Sequence, residues 1–172
     1  MSLQERATVV VGDITSLDVD AIVNAANEDL VRGAGVCGAI FRAAGPELDE
    51  ACRNVAPCPT GDARLTQGFN AKAHWIVHAV GPIWRGGTSN ESKQLASAYR
   101  SALKLAAGVD ANSIAFPAIS TGVYGFPREA ASKIAVETVR NWCEASATPQ
   151  RIVFCCFTEA DGELYRSVLG HP

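Results

Sequence analysis

Residues 21–45 read AIVNAANEDLVRGAGVCGAIFRAAG, and the order of features in this stretch decides the fold. An apolar run suited to a buried strand passes through two asparagines, enters the glycine-rich turn GAGVCG and continues into the helical segment GAIFRAAG. A strand carries the chain to the edge of a sheet, glycines let the backbone approach a ligand closely, and a helix start offers unpaired N–H groups to an anion. A phosphate suits that combination. Gly33, Gly35 and Gly38 also satisfy the G-x-G-x-x-G pattern of dinucleotide-binding proteins, but the context opposes that reading. In a Rossmann unit the glycines follow the strand at once and an acidic residue ends the next strand about 20 residues on. Here residues 27–32 intervene before the first glycine, and residues 46–55 read as a helix, so the Rossmann arrangement is set aside.

Strands and helices alternate on either side of this stretch. Ala7 to Gly12 is β-branched and reads as a first strand, ending in the polar turn Asp13-Ile14-Thr15, and Ala21 to Asn24 is the second. Ala39, Ile40, Ala43 and Ala44 provide an apolar helical face, and Pro46 at an N1 position starts another helix through Cys52. Ala63 to Gln67 and Trp75 to Val80 read as strands, the latter stopped by Gly81-Pro82. After a loop to Asn90, Thr88 and Glu91 have the spacing of a capping box. Leu95, Ala98, Tyr99, Ala102, Leu103 and Ala106 then repeat at helical spacing until Gly108. Ser113 to Pro117 is a short buried strand leading into a second glycine-bearing turn, Ser120 to Gly125. Pro127 opens a long helix with apolar Ala131, Ile134, Ala135, Val139 and Trp142; Arg151 to Phe157 is the last strand and Asp161 to Leu169 the last helix. This alternation predicts an α/β layer fold with a largely parallel sheet covered on both faces, its ligand beyond the strand ends where the loops gather.

The 172 residues suit one domain spanning 1–172, and 48% hydrophobic content is enough for a core. A net charge of −3 argues against nucleic acid held by bulk charge. The six cysteines, at 37, 52, 58, 143, 155 and 156, form no C-x-x-C pair and show no zinc spacing with the histidines, so reduced thiols in a cytoplasmic protein are expected, with no metal and no cofactor. The N-terminal MSLQERATVVVGD resembles neither a secretory signal nor a membrane span, and a monomer is the default expectation.

GDIT at 12–15, NAAN at 24–27, the GAGVCGAIFRAAG segment, VGPIWRGG at 80–87 and FPAISTGVYGFP at 116–127 together closely resemble the macro domain family, in particular the MacroD-type bacterial O-acetyl-ADP-ribose deacetylases. The resemblance runs from about Val9 to Leu169. It implies a three-layer α/β/α fold around a mixed six-stranded sheet, with ADP-ribose or O-acetyl-ADP-ribose in a cleft at the strand ends and ADP-ribosylated proteins as a further partner class. Carried onto this chain, Asp13 would accept the adenine amine and the Ile14 N–H would reach a ring nitrogen. The loops Gly33 to Gly38, with Gly35 and Val36, and Ser120 to Gly125, with Thr121, Gly122 and Val123, would hold the diphosphate by main-chain N–H groups. Asn27 would bond the distal ribose, Tyr124 would pack near it, and Phe157 would cover adenine.

The residues by themselves admit plainer roles. A carboxylate at the Gly12-Asp13 turn is often an Asx-turn or cap. Asn24 suits backbone groups of its turn better than a ligand. Phe157, beside Phe154 and Cys155, reads as core. Tyr124, flanked by glycines, reads as exposed at a site. His74 and His78 share one face of a strand and read as structural, since zinc needs three or four ligands; Cys155 and Cys156 point to opposite faces and read as packing.

The family's glycine turn normally continues GGVDGAIHRAAG, its aspartate positioning or activating a water against the distal ribose. This sequence has Cys37 at that aspartate, Phe41 for the histidine, Ala34 for a glycine, and Arg32 just ahead of the turn. A thiol is a weak acceptor and mostly protonated near its reference pKa of about 8.5, so it does not replace a carboxylate. A helix start would lower that pKa and favour a thiolate; the alternative, and the preferred one, is an inert Cys37. Two readings stand: a slow or altered hydrolase, with Asn27 and Tyr124 orienting water, and a module that binds ADP-ribose without turning it over. Recognition of poly(ADP-ribose) or RNA ends is disfavoured by the acidic balance.

Overall fold

The computed structural model describes residues 1–170. In chain order the elements are α1 (Leu3–Arg6), β1 (Ala7–Val11), a single 3-10 turn (Ile14–Ser16), β2 (Ala21–Ala25), α2 (Gly35–Ala44), α3 (Glu47–Val55), β3 (Ala63–Gln67), β4 (Trp75–Ala79), α4 (Glu91–Gly108), β5 (Ser113–Phe116), α5 (Arg128–Ala145), β6 (Arg151–Cys156) and α6 (Glu159–Leu169). The strands form one six-stranded sheet in the order β1-β6-β5-β2-β4-β3. Five run parallel, so their C-terminal ends share one edge, and β3 pairs antiparallel with β4 at the margin. The sheet is therefore mixed. It is largely parallel, as expected; the antiparallel member is β3, whose link to β4, residues 68–74, is too short for a parallel crossover.

Alternation along each strand divides the core. Val23, Val77, Ile114, Phe116 and Phe154 join the buried side chains of α4, α5 and α6, while Ile22, Ile76, Ala115 and Val153 join those of α2 and α3. This is the three-layer α/β/α arrangement. Leu95, Ala98, Tyr99, Ala102, Leu103 and Ala106 of α4 are all buried, as their helical spacing requires. Tyr99 lies 5.1 Å from Phe116, and Phe116 lies 6.2 Å from Phe154, between ring centres. Each such large side chain contributes about 1.5–3 kcal/mol by leaving water. Cys155 and Cys156 fall in opposite clusters, as their adjacency implies.

Several local expectations change. Helix α2 begins at Gly35, inside the glycine turn, and buries Cys37, Gly38, Ile40, Phe41 and Ala44, whereas Ala39 and Ala43 are half-buried. Pro46 is the cap of α3 rather than its first residue. Thr88 and Glu91 form no capping box: Asn90 caps α4 and Glu91 turns back to the preceding loop. His74 lies before β4 and is exposed, so only His78 of that pair belongs to the strand. Short α1 was not anticipated, although its Glu5 accepts the Ser2 N–H at 2.6 Å, the contact that an S-x-x-E spacing favours.

All six cysteines are free and buried. Among the described residues, no helix is long and apolar enough to cross a membrane, and no three His, Cys, Asp or Glu side chains gather to hold a metal ion.

Candidate ligand-binding site

The chain leaves β2 into a loop that is pinned at several points. The Asn27 amide donates to the Val31 carbonyl at 2.9 Å and its oxygen accepts the Val31 N–H at 3.1 Å. The Cys37 thiol donates to the same carbonyl at 3.8 Å. Arg32 grips Asp49 of α3 through two bonds of 2.9 and 2.8 Å and lies over the Phe41 ring at 5.5 Å. Glu28 accepts the Thr60 N–H at 3.2 Å. Helix α2 then starts at Gly35 with φ +61°, and Ala34 supplies no side-chain acceptor, so the first-turn N–H groups have no acceptor among the described residues. A Cβ on Gly38 would sit 2.7 Å from the Gly33 carbonyl oxygen, so only glycine lets the loop press this closely on the helix.

The second loop leaves β5, two positions from β4 in the sheet. Its own bonds use the N–H groups of Thr121, Gly125 and Phe126, and leave those of Gly122, Val123 and Tyr124 without an acceptor among the described residues. Val123 at its tip is 96% exposed. Ser120 adopts φ +68°, strained for a residue with a side chain, and its buried hydroxyl has no partner among the described residues. A Cβ on Gly81 would fall 2.2 Å from that hydroxyl, so Gly81 admits the turn. The Trp84 N–H donates to the Tyr124 carbonyl at 2.8 Å, while the Trp84 ring packs 4.7 Å from Phe126.

Two further residues flank these loops. The Asp13 carboxylate accepts the Thr15 N–H at 2.9 Å and the Thr15 hydroxyl at 2.7 Å through one oxygen, which makes it the cap of the 3-10 turn. Its other oxygen takes no part in these bonds. Ile14 is buried beside it. Phe157 is 85% exposed at the end of β6, which overturns the core reading and leaves an aromatic face in water. Val31, Ile83, Val123 and Phe157, the exposed large apolar residues beyond Met1, each follow the C-terminal end of a parallel strand. A groove of about 480 Å³ lies elsewhere, between Asp62, Arg64, Leu65, Ser101 and Lys104 along β3 and α4. It holds none of these loops and lies on the far side of β4 from β2.

The sulfur and phenol at this edge are both in their neutral forms. Burial pushes the Cys37 thiol up, against the Asn24 side chain and the Gly33 backbone, which favour the thiolate more weakly. The helix start therefore does not produce the thiolate that its position suggests. Partial burial also raises the Tyr124 phenol, and the Glu28 carboxylate adds to that shift.

Beneath them runs a buried polar row that sequence reasoning missed. The Asn24 amide donates to Nδ1 of His78 at 3.0 Å, so the ring proton sits on Nε2, 2.9 Å from the Thr66 hydroxyl and 3.7 Å from the Cys52 sulfur. Asn24 thus bonds a side chain rather than the backbone of its turn. Burial pushes His78 down to about 4, which keeps it neutral. Only the pairing of Asn24 opposite His78 in the sheet reveals the row.

The sequence pattern of the Macro domain family matches residues 23–135. The chain belongs to the macro domain family. It is 57% identical to a macro domain-containing protein of Ralstonia nicotianae over 91% of this chain and 90% of that one. It is 52% identical to a protein of Escherichia fergusonii named O-acetyl-ADP-ribose deacetylase, over 97% of each chain. Among solved structures, a glycine-to-valine variant of the Oceanobacillus iheyensis macrodomain with ADPR superposes with a TM-score of 0.92 at 39% identity, covering 99% of this chain and 95% of that chain. Within this macro domain the fold brings Asn27 and Cys37 to one carbonyl and ties Tyr124 to Trp84, whereas Phe157 stands exposed to solvent.

Proposed function

We propose that this macro domain binds ADP-ribose and hydrolyses O-acetyl-ADP-ribose, or ADP-ribose esters on proteins, slowly. The single observation that carries the binding reading is the pair of acceptor-free main-chain N–H groups, at the start of α2 and at Gly122 to Tyr124, on loops that leave neighbouring parallel strands. A diphosphate supplies the acceptors that both loops lack. Phe157 and the unused oxygen of Asp13 suit the adenine end; Asn27, Cys37 and Tyr124 suit the distal ribose. The relative in Escherichia fergusonii is named for deacetylation, and the Oceanobacillus iheyensis structure holds ADPR.

In the deacetylation a water adds to the acetyl carbonyl, the ester C–O bond breaks, one water proton passes to the freed ribose oxygen, and acetic acid leaves and gives up the other proton to solvent as acetate. Asn27 retains one free N–H and one free lone pair after clamping Val31, enough to orient that water. Cys37, protonated and buried, accepts no proton. The base is then the diphosphate of the substrate itself, and turnover is low. The Gly122 to Tyr124 amides steady developing charge. The six free thiols suit a reducing compartment, and the cytoplasm is the proposed location.

The alternative, a module that binds ADP-ribose without turnover, is favoured by the neutral sulfur at residue 37. Calorimetry with ADP-ribose together with acetate release from O-acetyl-ADP-ribose separates the two. Binding with measurable release supports the hydrolase, binding without release selects the module, and absence of binding rejects both.

A further inference from the structure

We propose that Glu91, at the first position of α4, is a positioning residue for the second glycine loop: it fixes the 84–89 segment, which in turn holds Tyr124. The proposal rests on the ADP-ribose reading for its consequence and on geometry alone for the coupling. Glu91 is 1% exposed, yet among the described residues it has no cationic partner. Its carboxylate instead accepts three main-chain N–H groups, from Arg85 at 2.9 Å, Gly87 at 2.8 Å and Ser89 at 2.5 Å. Buried carboxylates are rarely left without such donors, and three of them on one loop curl that loop around the side chain.

The loop passes this order onward by two routes. The Trp84 N–H, next to the first anchored residue, donates to the Tyr124 carbonyl at 2.8 Å. The Trp84 ring is wedged between Phe126, 4.7 Å away, and Gly87, where a Cβ would come within 3.0 Å of the indole. Releasing Glu91 frees Trp84, and freeing Trp84 removes the main-chain bond that, among the described residues, ties Tyr124 to the 84–89 segment. Tyr99, about two turns further along α4, holds the start of the second glycine loop: its hydroxyl donates to the Pro117 carbonyl and accepts the Ile119 N–H, each at 3.3 Å. Helix α4 thus grips the loop at both ends, and Glu91 is the grip nearer the distal ribose.

The test compares wild type with Glu91→Gln and Glu91→Ala by amide hydrogen exchange without ligand and by calorimetry with ADP-ribose and with AMP, which lacks the second phosphate and the distal ribose. Exchange at 84–89 and at 122–125 is expected to accelerate. ADP-ribose affinity is expected to fall about tenfold in Glu91→Ala while AMP affinity holds, because misplacement at one end of a site weakens only what that end touches. Glu91→Gln, which keeps one acceptor oxygen for Arg85 and Gly87, should fall between the two. Faster exchange confined to 84–89 with unchanged ADP-ribose affinity overturns the proposal, as does an equal loss for both ligands. Should the Glu91 variants not fold, Gly87→Ala, at φ +88° and against Trp84, disturbs the loop with Glu91 intact and is read by the same criteria. A wild type that fails to bind ADP-ribose counts against the binding reading, and exchange alone then judges Glu91.

Discussion

Asn27 and Cys37 converge on one acceptor, the Val31 carbonyl oxygen, which the amide nitrogen reaches at 2.9 Å and the sulfur at 3.8 Å. Ten residues apart in sequence, they are joined because Val31 bends back over the start of α2. A carboxylate at residue 37 would set oxygen against oxygen at this carbonyl and would turn away from it. Cys37→Asp is therefore expected to raise turnover of O-acetyl-ADP-ribose and to lower stability by about 1–3 kcal/mol, the cost of an imperfectly satisfied buried polar group. Initial rates and denaturant melts check both. A wild type already fast, and slowed by the substitution, makes Cys37 a working residue.

Phe157→Ala separates binding from folding. At 85% exposure the ring contributes little packing, so the melting temperature should not move. Loss of a stacking platform for adenine should cost about 1–3 kcal/mol of ADP-ribose affinity. Calorimetry showing unchanged affinity removes Phe157 from the site.

Asp13 has two roles that substitution can divide. Asp13→Ala should weaken ADP-ribose by about 1–3 kcal/mol, whereas Asp13→Asn keeps an oxygen for the Thr15 N–H and loses the carboxylate alone. If the two variants bind ADP-ribose as tightly as wild type, the adenine assignment fails and the cap is all that Asp13 does.

Gly38→Ala drives a methyl group to 2.7 Å from the Gly33 carbonyl. The loop must lift, at about 1–3 kcal/mol in stability, and the first row of N–H groups moves with it. Affinity for ADP-ribose is expected to fall along with stability; a variant that is destabilised but binds normally would place the diphosphate elsewhere.

His78 sets a pH dependence. Its folded value of about 4 lies below its ordinary 6.5, so the unfolded chain binds the proton more tightly. Stability is complete above about pH 6.5, falls as the pH drops through the interval to about 4, and levels off below it, for a total of about 3 kcal/mol. Chemical melts between pH 4 and 7 read this slope, and His78→Gln should flatten it.

The parts of this fold that were legible in the sequence are those written in local pattern. Ala21 to Ala25, Trp75 to Ala79 and the α4 face from Leu95 to Ala106 announce themselves by apolar period. The glycine turns did likewise, because glycine is costly without a use, whereas Tyr124, read as exposed, is half-buried. What the sequence hid depends on register and chain reversal. Asn24, His78 and Thr66 lie on three strands and meet only through pairing, and Glu91 has the spacing of a cap but accepts from a loop that folds back over it. Phe157 differs from its neighbours Phe154 and Cys155 only in lying one residue past the end of β6. Strand ends are the least legible feature of a pattern.

The first strand has no neighbour in the sheet except the last, with Ala7 opposite Ile152. During synthesis β1 therefore emerges from the ribosome with no partner and waits, edge unprotected, until β6 has followed it. Long-range closure of this kind slows folding and exposes a strand to aggregation. Truncation before β6 should leave β1 without a partner and bare one edge of β5, so the segment carrying β6, distant from the glycine loops in sequence, governs whether a soluble product accumulates.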